Sequence, residues 1–126
     1  MTWSDAYIGL PFEDGGNGSE RYDCWGLTRK VMREVFDTEL LDHQYSLEGR
    51  ERDAVVEDNR PLYHRVNEAA DGVLVLYYLS GRRPHIGVCV GNTHVLHMMR
   101  GSTGSVLLPL TSPMVRNGFD GFYLPN

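Results

Sequence analysis

Cysteine and positive charge are both scarce in this chain. There are two cysteines among 126 residues, and 12 basic side chains stand against 17 acidic ones, which gives a formal net charge of -5. Two cysteines are too few for a disulfide framework, and a chain of this length can bury a core without one. Because there is no basic excess to bind phosphates, we expect no nucleic-acid partner.

Long hydrophobic runs are also missing. No stretch approaches the roughly 18 apolar residues of a membrane-spanning helix. The first five residues lack the basic and apolar regions of a signal peptide. We therefore expect synthesis in the cytoplasm and no insertion into a membrane. Repeats, low-complexity tracts and linkers are absent as well, which predicts a single domain over residues 1–126.

The hydrophobic pattern predicts helices first and strands afterwards. Helical spacing predicts a short helix from about Thr2 to Leu10 and a longer one that begins near Cys24. The charged segment 37–70 is interpreted as an elaboration of the core that holds one or two short helices. Apolar and alternating runs predict strands at Val73–Tyr78, His85–Val90, Thr93–Met98, Ser105–Leu110 and Gly121–Leu124. Helices followed by an antiparallel sheet indicate the α+β class.

Cys24 is the first candidate functional residue. A glycine-rich loop precedes it, and Asp23 can cap the following helix, so its thiol is predicted at the first turn. The free amides and dipole at a helix N-terminus favour an anion, and they can lower the pKa of a thiol below its free value of about 8.5. This position predicts a reactive thiol, and an inert buried cysteine is the alternative.

Two histidines far downstream complete a candidate catalytic set. A cysteine peptidase needs a thiolate, a histidine that moves the thiol proton, and a third polar group that orients the imidazole. His85 begins one strand and His97 lies on the return strand of a hairpin, so the two positions should lie almost opposite each other. An exposed His85 could then face the helix that Cys24 begins, and the side chains of His85 and His97 could lie in line toward the thiol. His94 should point to the opposite face from His97.

Other roles remain open for these residues. Asp71 or Asn92 could orient the base instead, and His97 could bond only to backbone. Cys89 lies in an alternating strand and is predicted to be a small buried residue rather than a disulfide partner. A zinc site built on the cysteines and histidines lacks the usual ligand spacing, so we expect no metal and no cofactor.

Several segments, in the same order along the chain, resemble motifs of the NlpC/P60 family of cysteine peptidases, which hydrolyse peptides of the bacterial cell wall. The nucleophile motif Asp-Cys-Ser-Gly-Leu is matched by Asp23-Cys24-Trp25-Gly26-Leu27. The family's Gly-x-Pro-Tyr, Gly-Asp-Leu-Val, His-Val-Gly-Ile and Ile-His elements are matched by Gly9-Leu10-Pro11-Phe12, Asp71–Val75, His85-Ile86-Gly87-Val88 and Leu96-His97. The resemblance implies a papain-like core, in which N-terminal helices carry the nucleophile and pack on an antiparallel β-sheet.

The resemblance also implies roles and a substrate. Cys24 would be the nucleophile, His85 the base and His97 the orienting residue. The substrate would be the peptidoglycan stem peptide, cut between a D-glutamyl residue and a diamino acid. The chain looks most like phage tail-associated members, which implies phage tail proteins as partners and the virion tail as its location.

Two residues depart from the family pattern. Phe12 stands where the family usually has a tyrosine, so Tyr22 or a backbone amide is expected to supply the lost hydrogen bond. Trp25 replaces a serine, and its ring is expected to line the cleft. Together with Asp23, these residues form the predicted substrate-binding and oxyanion region. The departures motivate an alternative, a weakly active or inactive structural tail protein used for assembly or cell-wall binding. An acyltransferase or lipid-directed relative is a third hypothesis.

Overall fold

One antiparallel sheet organises the chain. The computed structural model describes residues 3–11, 24–40, 60–79, 83–98 and 104–126. Its helices are 3-10 helices at Trp3–Tyr7 and Arg60–Leu62, α1 (Cys24–Phe36) and α2 (Pro113–Arg116). Its strands are β1 (Tyr63–Val66), β2 (Leu74–Leu79), β3 (Arg83–Val90), β4 (His94–Met98), β5 (Ser105–Pro109) and β6 (Phe119–Pro125).

The six strands lie in the order β1-β6-β2-β3-β4-β5, and every neighbouring pair is antiparallel. Helices therefore precede a mainly antiparallel sheet, which confirms the α+β prediction. The five predicted strands are present with small shifts at their ends. The edge strand β1 was not predicted, because it lies in the charged segment that we interpreted as helical. Residues 41–59 of that segment lie outside the described residues.

Each face of the sheet has its own hydrophobic core. On one face α1 packs Leu27, Val31 and Met32 with strand residues that include Leu74, Leu96 and Met98. On the other face Val75, Tyr77, Cys89 and Val95 pack with Val115 of α2. Because successive strand side chains alternate between faces, the two sets interleave along every central strand. None of the described helices is long and apolar enough to cross a membrane.

The start of α1 is held by its own apolar side chains. Trp25 and Leu27 are both buried in the core between α1 and the sheet. At the other end Asp37 takes a left-handed conformation with φ of 51°, which ends the helix.

Hydrogen bonds join the N-terminal segment to Ser105, the first residue of β5. The backbone N–H of Gly9 donates to the Ser105 carbonyl at 2.8 Å, and the Ser105 N–H donates to the Leu10 carbonyl at 2.9 Å. The buried Ser105 hydroxyl accepts from the Leu10 N–H at 2.9 Å and donates to the Tyr7 carbonyl. Gly104 has φ of 121°, and a Cβ there would lie 2.5 Å from the Leu10 carbonyl oxygen, so only glycine allows this approach.

Asp71 joins three separate parts of the chain. One carboxylate oxygen, Oδ1, accepts from the backbone N–H of Gly91 at 2.5 Å and from the indole N–H of Trp3 at 3.2 Å. The Trp3 ring in turn makes an edge-to-face contact with Phe36, with centroids 5.3 Å apart. The carboxylate therefore links the turn after β3 to the N-terminal 3-10 helix and the end of α1.

We predict that Asp71→Ala lowers the free energy of unfolding by about 1 kcal/mol, since two hydrogen bonds to a charged acceptor are lost at an exposed site. Urea unfolding would measure the change. Asp71→Asn keeps an acceptor oxygen and should cost less, and Glu68→Ala, at an exposed position nearby, should change stability by under about 0.5 kcal/mol. Equal losses in Asp71→Ala and Glu68→Ala would contradict this role for Asp71.

Candidate active site

Three aromatic rings meet on the face of the sheet that lies away from α1. Tyr77 of β2 is the direct Cα partner of His85 of β3, so the two side chains project from the same face. Ring centroids are 5.9 Å apart for Tyr77 and His85, 6.1 Å for Tyr77 and His97, and 6.2 Å for the two histidines. We call these three residues the Tyr-His-His cluster. Its members are 0%, 6% and 1% exposed, in the order Tyr77, His85 and His97.

His97 is held by a short hydrogen bond inside the cluster. The Tyr77 hydroxyl lies 2.5 Å from Nδ1 of His97. Burial lowers the pKa of His97 from its ordinary value of 6.5 to about 4, because a charged imidazole would lose its hydration there. The ring is therefore neutral at neutral pH. Its second nitrogen, Nε2, is also buried, and no described residue forms a hydrogen bond with it.

The register of the β3–β4 hairpin sets the distance between the two histidines. Val88 pairs with Leu96, so the ladder continues with His97 beside Gly87, and His85 is diagonal to His97 rather than opposite it. A Cβ at Gly87 would lie 2.5 Å from Cγ2 of Val95 and 3.4 Å from Cβ of His97. The absence of a side chain at Gly87 thus lets β4 carry His97 close to β3.

Some expectations for the histidines and their alternatives need correction. His85 was predicted to be exposed, but its ring is buried because Tyr77 packs directly across from it. Asp71 does not serve as an orienting group for His85, since its carboxylate binds the Gly91 N–H at the far end of β3. Asn92 lies exposed in the same turn. His94 was predicted to face away from His97, and strand alternation puts it on the α1 face, with Nδ1 2.8 Å from the Thr93 hydroxyl.

The predicted nucleophile region is described only in part. Cys24 is the first residue of α1, as expected, but its side chain lies outside the described part of the structure, as do Phe12, Tyr22 and Asp23. Trp25 is 6% exposed and packs within the core. Its place beside the substrate stays a prediction. The catalytic assignments of Cys24, His85 and His97 stay predictions.

Cys89 has the structural role that the sequence predicted. It is a free thiol with no exposed surface, on the same face of the sheet as Tyr77 and Val95. Burial raises the pKa of the Cys89 thiol to about 12. Among the described residues, no three His, Cys, Asp or Glu side chains come together in a way that could hold a metal ion.

Tyr77 is the site residue that the sequence reasoning missed. The sequence analysis treated Tyr77 only as one residue of the predicted apolar strand Val73–Tyr78. Two signals pointed to it, namely a hydroxyl in a central strand, which needs a partner when buried, and its position across the turn from His85. Neither signal identifies His97 as the partner, since that contact joins residues 20 positions apart.

Comparisons with known proteins agree with this architecture. A model described as the NlpC/P60 family matches residues 9–120. The chain is similar to the crystal structure of the NlpC/p60 domain of the peptidoglycan hydrolase SagA, with 19% identity and a TM-score of 0.63, covering 98% of this chain and 92% of that one. A search among curated proteins found no match.

Two longer proteins share the fold. One, from Staphylococcus aureus subsp. aureus Mu50, is described as similar to a lipoprotein of the NLP/P60 family, with 18% identity and a TM-score of 0.65. The other is an NlpC/P60 family protein from Bacillus cereus, with 17% identity and a TM-score of 0.57. Each match covers 94% of this chain but only 37% and 36%, respectively, of those proteins, so the likeness concerns one part of each.

The buried neutral His97 predicts a pH dependence of stability. The unfolded chain binds a proton at His97 below about pH 6.5, whereas the folded chain does so only near pH 4. The stability due to the neutral ring is therefore complete above pH 6.5 and is lost as the pH falls toward 4, by about 3 kcal/mol in total. We expect His97→Asn to flatten this loss in urea unfolding measured at pH 7, 6, 5 and 4.

His64→Asn is the matched control, because this exposed histidine of β1 stays in contact with water in the folded chain. It should keep the wild-type dependence on pH. If His97→Asn lost stability between pH 7 and pH 4 as steeply as the wild type, the inferred burial effect would be wrong.

Proposed function

The chain belongs to the NlpC/P60 family, and from this membership we propose that it is a cysteine peptidase that hydrolyses an amide bond in the peptide part of peptidoglycan. The similar SagA domain comes from a protein described as a peptidoglycan hydrolase, which supports this choice of substrate. The proposal concerns this domain, since two of the similar proteins are much longer.

The Tyr-His-His cluster is the observation that carries the proposal. The centroids of the two buried histidine rings lie 6.2 Å apart. Burying their polar nitrogens in a hydrophobic face costs free energy, which favours a functional role for them. Their sequence positions match the base and the orienting residue of the family motif. The cysteine of that motif begins α1, where the unpaired amides of a helix N-terminus favour a thiolate.

The proposed mechanism assigns one task to each group. The cluster faces away from the body of α1, so the mechanism requires the thiol of Cys24, at the N-terminal end of that helix, to reach His85 around the end of β3. His85 then takes the proton from Cys24, and the thiolate attacks the carbonyl carbon of the substrate. Amides at the start of α1 stabilise the oxyanion that forms. The His85 imidazolium then protonates the leaving amine, and water releases the acyl group from Cys24. Neutral His97 accepts a hydrogen bond from the imidazolium and so keeps the ring in its working orientation.

The finer assignments follow from the motif resemblance. We propose that the bond lies between a D-glutamyl residue and a diamino acid, and that the protein acts from a phage tail on the host cell wall. The alternative is a structural tail protein with little or no activity. Trp25 gives that alternative less support than the sequence did, because its ring packs in the core.

We predict that purified stem peptides are cleaved by the wild-type protein in reducing buffer and give a new pair of products in mass spectrometry. Cys24→Ala and His85→Ala should abolish the products, since each removes a group that takes part in bond cleavage. His97→Ala should lower the rate by about 10-fold or more, since it leaves the base unoriented.

Cys89→Ala is the matched control, because it removes the other thiol of the chain at a site with no exposed surface. It should keep the wild-type products. Turnover by Cys24→Ala would refute the mechanism. An inactive wild type that is folded and has an accessible Cys24 thiol would favour the structural alternative.

Thiol reactivity gives a second prediction that needs no substrate. With iodoacetamide, Cys24 should be alkylated rapidly below pH 7, because the helix start and His85 stabilise its thiolate. Cys89 should remain unlabelled in the folded protein, since it is buried and its pKa is about 12. Peptide mapping by mass spectrometry would separate the two sites. Labelling of Cys24 that rises only near pH 8.5 would contradict an activated thiol.

A further inference from the structure

Tyr77 is the member of the Tyr-His-His cluster with no role in the mechanism above. We propose that Tyr77 is a positioning residue that keeps the proton of His97 on Nδ1, so that Nε2 presents a lone pair to His85. The inference rests on the proposed function for the part that concerns catalysis. The effect of Tyr77 on the His97 ring itself is independent of that function.

The geometry ties Tyr77 to both histidines. Its hydroxyl lies 2.5 Å from Nδ1 of His97, and its ring packs 5.9 Å, centroid to centroid, from His85, which is also its direct partner across the β2–β3 pair. No part of Tyr77 is exposed. A single side chain thus sets the orientation of one ring by a hydrogen bond and covers the other.

The backbone around Tyr77 is adapted to this position. The pairing of β2 with β6 is regular up to Leu76 and Gly121, but the next pair is Tyr77 with Phe119, so one residue of β6 is bypassed. Such a bulge changes the direction in which a strand presents its side chains, and bulges are common beside active sites. Neighbouring strands lie on both sides of Tyr77, which leaves its ring little freedom to move.

The tautomer follows from the chemistry of a neutral imidazole. Such a ring has one N–H donor and one acceptor nitrogen, and the partner of one nitrogen decides the state of the other. If the Tyr77 hydroxyl donated to Nδ1, the proton of His97 would sit on Nε2, and the ring would offer a donor to His85. The His85 imidazolium also has only donors, so the pair would repel during the reaction.

The opposite arrangement avoids that conflict. When the Tyr77 hydroxyl accepts from the Nδ1–H of His97, Nε2 has a free lone pair, which can accept from His85 after His85 has taken the Cys24 proton. Burial keeps the His97 ring neutral in either tautomer, so the position of its proton decides whether Nε2 can accept from His85. His97 then stabilises the imidazolium without adding a second positive charge.

A double-mutant cycle tests whether Tyr77 acts through His97. Tyr77→Phe removes only the hydroxyl, and we expect kcat on stem peptides to fall by about 5- to 10-fold with KM unchanged, as for the loss of one hydrogen bond. In the His97→Ala background the same change should alter kcat by less than about 2-fold, since the residue it positions is gone. Unchanged kcat in Tyr77→Phe, or equal losses in both backgrounds, would overturn the proposal.

Nitrogen-15 NMR of the imidazole rings provides a readout that does not depend on hydrolysis. The wild type should show His97 with an N–H at Nδ1 and a bare Nε2, and Tyr77→Phe should show a mixture of the two tautomers. Identical His97 shifts in the two proteins would exclude Tyr77 as the group that selects the tautomer. If the wild type cleaves nothing, the proposed function fails, yet these spectra still decide the role of Tyr77.

Tyr7→Phe is the matched control for the loss of a tyrosine hydrogen bond. The Tyr7 hydroxyl donates to Glu34 at 2.9 Å, and its buried ring packs with α1 in the core on the opposite face of the sheet. This variant should lower stability, as Tyr77→Phe does, but leave the His97 tautomer unchanged. A shift of the His97 tautomer in Tyr7→Phe as large as that in Tyr77→Phe would mean that general destabilisation, not the Tyr77 hydroxyl, is the cause.

Discussion

The register between β2 and β3 is the constraint on which the rest of the structure depends. Side chains alternate between the two faces, so a shift of β2 by one residue would move Tyr77 to the face opposite His85 and turn Leu74 away from its core. The apolar pattern fixes the register. A hydrogen bond of 2.7 Å from the backbone N–H of Cys89 to the Val73 carbonyl continues the pairing with β3 one residue before β2 begins. The same pairing thus builds the hydrophobic core and the polar cluster.

Burial gives the cluster its chemical character. In a site with little water, hydrogen bonds are stronger and an unpaired charge is costly, so His97 stays neutral. A neutral acceptor beside a base can stabilise the imidazolium that forms during proton transfer, whereas an exposed His97 would be partly charged near pH 6 and would oppose it. Because Gly87 has no side chain, β4 can bring His97 close to β3.

The sequence predicted those parts of the fold whose signals are local. The apolar stripe of α1 and the turn at Gly91 are examples, since each depends on residues within a few positions. It did not predict β1, because Tyr63–Val66 is a short edge strand with two exposed residues and no continuous apolar run. It also missed Tyr77, whose contact with His97 becomes visible only when the register of three strands is known.

The two cysteines differ in their surroundings, and this difference supports the choice of nucleophile. Cys89 lies within a central strand and has no exposed surface, so burial raises the pKa of its thiol despite a backbone hydrogen bond with Ala70 that favours the thiolate. Cys24 begins α1, and the first amides of a helix have no partner within the helix. A thiolate can accept from those amides. The fold therefore disfavours an anion at the Cys89 sulfur, and our proposal places it at Cys24 instead.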